Sequence, residues 1–271
     1  MTLKEKLKRL RDAQDNILLV HYSCQSLNDS NEGFSARISS IAVTHFVTSV
    51  TNSFSIHLVA ERRKIKKEDI VAHYDVLEAE LLTNFYDFMR QRLQHFWVHW
   101  NMSNSVFGFE ALAHRYSVLT QNEAPVLDDE KKFNLIELVS AKYGKRSVDD
   151  PKMKNLMILN GGLHRDWLDG KQESECFTNR EFVRLHKSTI TKTYFFGSIL
   201  GRLLFGKRLK TNHDNWKERV EMTLEHPIAK VLGLIAVLFT IYTTIVFIVG
   251  QTKEKPNQTS EPTAASGRGS P

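Results

Sequence analysis

The run VLGLIAVLFTIYTTIVFIVG, Val231 to Gly250, constrains this chain more than any other stretch. It holds twenty residues and no charge. As a helix rising 1.5 Å per residue it reaches about 30 Å, the thickness of a bilayer's hydrocarbon core. Its threonines and single tyrosine do not spoil it, because a helix can satisfy them internally. A buried core helix is the competing reading. The position after the body of the chain, with Lys230 before and Lys253 and Lys255 after, favours a membrane span. Beyond it, QTKEKPNQTSEPTAASGRGSP is polar and rich in Pro, Ser, Thr and Gly. Such a segment has nothing to bury and predicts disorder.

The remainder is expected to be globular. A chain of 271 residues, 41% hydrophobic and 25% charged, has room for one sizeable domain plus appendages. Two cysteines, Cys24 and Cys176, are too few for a disulfide framework and read as free thiols in a reducing compartment. The opening residues MTLKEKLKRLRDAQ are charged rather than apolar, so no signal peptide is expected. Lys217, Arg219 and Lys230 before the span nearly balance Lys253, Lys255 and Arg268 after it. Arg202, Lys207, Arg208 and Lys210 tip the bias, so the positive-inside rule puts the N-terminal body in the cytoplasm. The layout is that of a tail-anchored, single-pass protein, most naturally in a bacterial inner membrane.

Within the body, Thr2 and Glu5 have capping-box spacing ahead of Leu3, Leu7 and Leu10. NILLVHYSC, Asn16 to Cys24, reads as a buried strand, and LNDSNEG as a loop. Ala36 to Val50 reads as a second strand, and Ser53 to Glu61 as a third, half-buried one, together a meander. Helical spacing follows from about Asp69 to Leu93, then a strand over Phe96 to Trp100 and a helix over Val106 to Leu119. Asp128 can cap a helix carrying Phe133, Ile136, Leu138 and Val139 that ends at Gly144. Asp150 and Pro151 start another, stopped by Gly161 and Gly162, and Thr178 with Glu181 suggests a cap for the last helix of the body. The fold expected is α/β or α+β, a mixed sheet with several helices, followed by a single C-terminal transmembrane helix. The divisions expected are a cytosolic domain over 1–180, a basic membrane-proximal helical region over 181–229, the span over 230–250 and the tail over 251–271. TYFFGSILGRLLFGKRLK, Thr193 to Lys210, is short for a span and reads as an interfacial helix. Arg184 to Arg219 holds nine Lys and Arg against two acids, which beside a membrane points to anionic lipids, with nucleic acid as the alternative.

The stretch HFWVHWNMSNSVFGFEALAHRY, His95 to Tyr116, concentrates polar and aromatic residues at a strand end. His95 and His99 on one strand would lie about 13 Å apart and cannot chelate one ion. His21, His57 and His99, each expected on a strand, would have to converge from neighbouring strands. No HExxH, CxxC, GxGxxG, GxxxxGK[ST] or GxSxG pattern occurs, so no metal or cofactor is expected. Tyr22, Gln25 and Asn101 mark strand ends where α/β folds place their sites.

LLVHYSCQSL, ISSIAV and VHWNMSNSVFGFEAL, followed by HRDWLDG (His164 to Gly170), lie in an order that resembles the ribonuclease-H-like 3'-5' exonucleases over roughly residues 16 to 170. In that family the first strand carries an acidic pair. A later strand ends in a His-Asn pair and leads to a helix with an acidic start. This chain has Tyr22 to Gln25 where the acidic pair would stand. Two-metal hydrolysis needs carboxylates, so the resemblance implies the fold together with a lost or rebuilt site. A rebuilt site would draw its catalytic residues from His99, Glu110, His164 and Asp166, with Asn101 and His114 nearby. Two functions follow as expectations. One is a membrane-anchored cytosolic module that senses or binds a ligand or protein partner, with homo-oligomers open to it, in the manner of a toxin or defence effector. The other is a metal-dependent nuclease or phosphodiester hydrolase.

Overall fold

The computed structural model describes residues 1–25, 35–103, 106–212 and 227–253. The loop expected over LNDSNEG and the tail beyond residue 253 lie outside the described residues. The chain divides into a body, Met1–Asp214, and a second unit, Asn215–Pro271.

The body is built on a five-stranded mixed sheet. Its strands are β1 (Ile17–Cys24), β2 (Ile38–His45), β3 (Thr51–Ser55), β4 (Phe96–His99) and β5 (Lys132–Asn134), in spatial order β3-β2-β1-β4-β5. β2 is antiparallel to β1 and β3, whereas β4 and β5 run parallel to β1. The meander is therefore as the sequence predicts. β1 is buried on both faces, and its alternation sorts two cores. Leu18, Val20 and Tyr22 pack with Ile41, Val43 and Trp97 beneath α2 (Ile56–Arg62), α3 (Tyr74–Arg90) and α4 (Phe109–Thr120). Ile17 and Leu19 join Phe96, Val98, Phe133 and Phe196 on the opposite face, under α1 (Leu3–Asp12), α5 (Leu135–Tyr143), α6 (Lys152–Gly161) and α8 (Phe182–Leu204). α7 (Gly170–Thr178) closes the edge near the end of β1.

Several local expectations hold. The Thr2–Glu5 capping box starts α1. Gly162, at φ 87°, ends α6 in the left-handed region that glycine adopts at low cost. Others shift. The alternation of Phe54, Ile56 and Leu58 predicts a strand to Glu61, but β3 stops at Ser55. Ile56, Val59 and Ala60 then bury at helical spacing in α2, so His57 sits on a helix. Phe133 belongs to β5, not to a helix capped by Asp128. The spacing of Thr178 and Glu181 is not a cap: α7 opens on a box made by Asp169 and Gln172, and Glu181 precedes α8 without capping it. Arg115 of α4 is buried and forked onto fully buried Glu78 at 2.6 and 2.9 Å.

The largest revision concerns α8. Residues 193–204 do not form a separate interfacial segment. They are the second half of a 23-residue helix lying across β1 and β2 inside the body. Phe196, Ile199, Leu200 and Leu203 bury against the second core. Gly197 lets Leu19 approach, since a Cβ there would stand 3.1 Å from Leu19 Cδ1. The first half of α8 is polar where the sheet is polar. Ser40 Oγ meets His186 Nδ1 at 2.6 Å, Ser23 Oγ meets Thr189 Oγ1 at 2.8 Å, and Thr44 Oγ1 meets Thr193 Oγ1 at 2.7 Å. The seam obeys the rule that buried polar groups find partners.

The second unit contains α9 (Pro227–Lys253). Its stretch Val231–Ile248 is apolar and long enough to cross a bilayer, and none of it is buried by protein. Thr240, Thr243 and Thr244 return their hydroxyls to helix carbonyls at 2.8–3.0 Å, so the helix satisfies them internally. Among the described residues α9 is the one candidate membrane span, by length and composition.

Candidate functional site

The relation between β1 and β4 creates a cleft. Their pairing runs from Ile17↔Phe96 to Val20↔His99, where β4 ends. β1 continues to Cys24, so on this side His21 to Cys24 have no strand neighbour. A cavity of about 420 Å³ opens there. His21, Tyr22, Ser23, Cys24 and Gln25 form one wall with Phe107. The start of α6, the turn Trp167–Gly170, Glu173 of α7 and Lys192 of α8 form the other. Tyr22 is locked by stacking on Phe107, ring centroids 4.3 Å apart, and its hydroxyl accepts the Gly108 N–H at 2.9 Å.

The cavity's charges cancel in pairs. Glu173 Oε1 accepts from Lys192 Nζ (2.7 Å), Ser23 Oγ (2.9 Å) and Ser188 Oγ (3.1 Å). Both ends of this ion pair are sheltered, at 6% and 14% side-chain exposure. The Lys192 ammonium also lies 5.0 Å from the Trp167 ring centroid, within cation–π range. Asp169 pairs with Lys154 at 3.3 Å while capping α7. The Gln172 backbone N–H, foremost, holds its carboxyl below the usual value. Each carboxylate of the cavity is thus engaged by one lysine, and the wall is neutral overall.

Two polar atoms remain unpaired. His21 Nδ1 and Trp167 Nε1 are buried without a hydrogen-bond partner, and both rings line the cavity. Burial, with Lys192 adding repulsion, holds the His21 imidazole well below its usual pKa, so it is neutral at pH 7. An orphaned buried polar group costs about 1–3 kcal/mol. Burial pushes the Cys24 thiol up to about 12, which makes it a poor nucleophile. The arrangement suits binding: aromatic walls, a neutral interior, one unpaired indole donor and one unpaired imidazole nitrogen.

The sequence-predicted catalytic residues separate into two pairs. His99 and Glu110 share a polar pocket of about 300 Å³ at the ends of β4 and β5, with Asp129, Lys132, Asn134 and Glu137. His99 Nδ1 accepts the Met102 N–H at 3.1 Å, which fixes the proton on Nε2. Burial, then Lys132, lowers its pKa to about 4. Asn101, at φ 52°, is exposed and does not line this pocket, and its N–H bonds to Asn134 Oδ1 at 3.0 Å. His164 and Asp166 line a different cavity of about 430 Å³ along the outer side of α8. There the Asp166 N–H donates to His164 Nδ1 at 3.2 Å. Neither of these two cavities holds all four. His114 is exposed on α4. His57 faces His186, ring centroids 5.3 Å apart, so His21, His57 and His99 do not converge. Tyr22 and Gln25 share the β1 cavity, whereas Asn101 does not line it. Among the described residues no three His, Cys, Asp or Glu gather as a metal cage.

Sequence reasoning missed Glu173, Lys192 and Trp167. Polar residues at helical spacing along α8, His186, Thr189 and Thr193, were the one readable sign that this helix faces a polar interior. Comparison with family models, characterised proteins and solved structures finds no match to this chain.

Proposed function

We propose that this chain is a membrane-anchored sensing or binding module whose ligand is a small, uncharged, flat molecule held at the carboxyl end of β1. The observation that carries the reading is a cavity with aromatic walls and no net charge, two of whose lining residues, His21 and Trp167, each hold a buried polar atom without a partner. The neutral wall argues against a charged ligand, which would find no counter-charge that is not already taken. The volume of about 420 Å³ falls in the range of small-molecule sites. A cavity of that size has room for a bicyclic heterocycle. Supporting the anchor is α9, and the charge bias around it favours a cytoplasmic body at an inner membrane. A role as effector of a toxin or defence system rests on architecture alone.

The test uses ligand-observed NMR on the full chain in detergent, with adenine, uracil and nicotinamide as probes. Binding that is lost in Trp167→Phe and weakened in His21→Phe supports the reading. Equal signals in wild type and both variants contradict it.

A second reading, a metal-dependent phosphodiester hydrolase with a rebuilt ribonuclease-H-like site, keeps one supporting observation. The meander, α3, β4 ending at His99 and α4 opening beside Glu110 follow the order that the resemblance implies. Against it stand the pairing of Glu173 and Asp169 with lysines and the separation of His99 from His164. Metal-dependent cleavage of an oligonucleotide, abolished by Asp166→Ala, would establish it.

A further inference from the structure

Beyond its cavity, the body carries a basic face where its chain ends. After α8 the segment 205–212 folds back along α5 and α6. Leu209 is buried, and its N–H donates to Tyr143 Oη at 3.0 Å. Asn160 bonds both the N–H and the carbonyl of Lys210 at 3.0 Å. The Asn212 N–H reaches the Ser147 carbonyl at 2.9 Å. These bonds set Lys207, Arg208 and Lys210 beside Lys142 in the last turn of α5 and Lys145 and Arg146 of the α5–α6 connection, all six exposed. The nearby acids are Asp149 and Asp150, and the Asn212 side chain bonds Asp149. Phe205, next to this cluster, leaves 56% of its surface exposed. An exposed aromatic among cations matches the boundary between lipid headgroups and acyl chains.

We propose that this face rests on the anionic headgroup layer of the bilayer, with Phe205 entering the interface and the lysines and arginines facing lipid phosphates. The inference rests on reading α9 as the membrane anchor. Residues 213–226 separate the face from α9, and fully extended they span at most about 50 Å. That reach permits the contact without forcing it, so the charge must do so. Basic residues near an anionic leaflet are attracted over about a Debye length, and the attraction weakens in salt.

The experiment is hydrogen exchange on the full chain in nanodiscs, either of phosphatidylcholine alone or with phosphatidylglycerol added. Residues 142–152 and 205–212 should exchange more slowly only in the anionic discs, and high salt should reverse the effect. The variant Lys145→Gln/Arg146→Gln/Lys207→Gln/Lys210→Gln should lose the protection, each removed charge weakening the contact about fivefold, while exchange in α3 stays unchanged. Equal exchange in both discs overturns the proposal. So does protection produced in phosphatidylcholine discs by an RNA oligonucleotide, which would make the face a nucleic-acid surface. Alkaline extraction of the membranes reads the anchor separately. A chain that leaves the bilayer overturns the anchoring reading, whereas a retained chain without lipid-dependent protection overturns only the lipid face.

Discussion

Replacing Glu173 by glutamine probes the cavity's electrostatics at their most sensitive point. The amide keeps the shape and an acceptor for the Ser23 and Ser188 hydroxyls, now 2.9 and 3.1 Å from Oε1. It removes the charge opposite Lys192, whose side chain is only 6% exposed. Breaking a buried pair while leaving one partner charged costs about 3–5 kcal/mol. For a body of this size, each 1 kcal/mol moves Tm by about 2–4 °C, so Glu173→Gln should lower it by roughly 6–20 °C. The assay is thermal unfolding of the full chain in detergent, followed by tryptophan fluorescence. Lys192→Met leaves the carboxylate with two hydroxyl donors and should cost less. The double variant Glu173→Gln/Lys192→Met should recover much of the loss, because no buried charge is then stranded. A shift under about 2 °C for Glu173→Gln, or a double variant no more stable than Glu173→Gln, would refute the pairing argument.

The other predictions use the rest of the body. Burial lowers the pKa of His99 and His186 to about 4 and that of His21 well below 6.5, so the unfolded chain binds protons that the folded chain refuses. The stability these groups supply is full above the unfolded value near 6.5 and is lost on acidification, by about 1.4 kcal/mol per pH unit for each. Urea unfolding should show this slope, and His99→Asn, which retains an acceptor near the Nδ1 position, should flatten it; an unchanged slope would assign it elsewhere. Arg115→Met strands the fully buried Glu78 carboxylate and should cost about 3–5 kcal/mol by the same assay, far more than an exposed arginine would. Gly197→Leu should overpack α8 against Leu19 and destabilise by about 1–3 kcal/mol; a neutral result would mean the helix can lift from β1.

Much of the fold was legible because it rests on local patterns. The apolar run of β1, the capping box at Thr2 and the uncharged stretch of α9 each carry their own signal. β5 did not, because three residues are too few to show alternation. His57 was misplaced because Phe54, Ile56 and Leu58 fit a strand as well as the start of a helix, and tertiary burial of Val59 and Ala60 decides. The apolar end of α8 fits a membrane interface or the cover of a sheet equally well. Only the polar seam with Ser23, Ser40 and Thr44 distinguishes them, and each partner lies more than a hundred residues away. The cavity was hidden for the same reason: Ser23 and Glu173 meet across 150 residues, while the histidines close together near His95 face different parts of the fold. The strand end at Asn101 lies at the same carboxyl edge of the sheet, one strand away from the cavity.

The most direct test of the central claim is mass spectrometry of small molecules released when the purified full chain is denatured. The account predicts an uncharged heterocyclic compound that accompanies the wild type and is depleted from Trp167→Phe. A compound retained equally by both, or one carrying a phosphate or carboxylate, would contradict a neutral site built around His21 and Trp167.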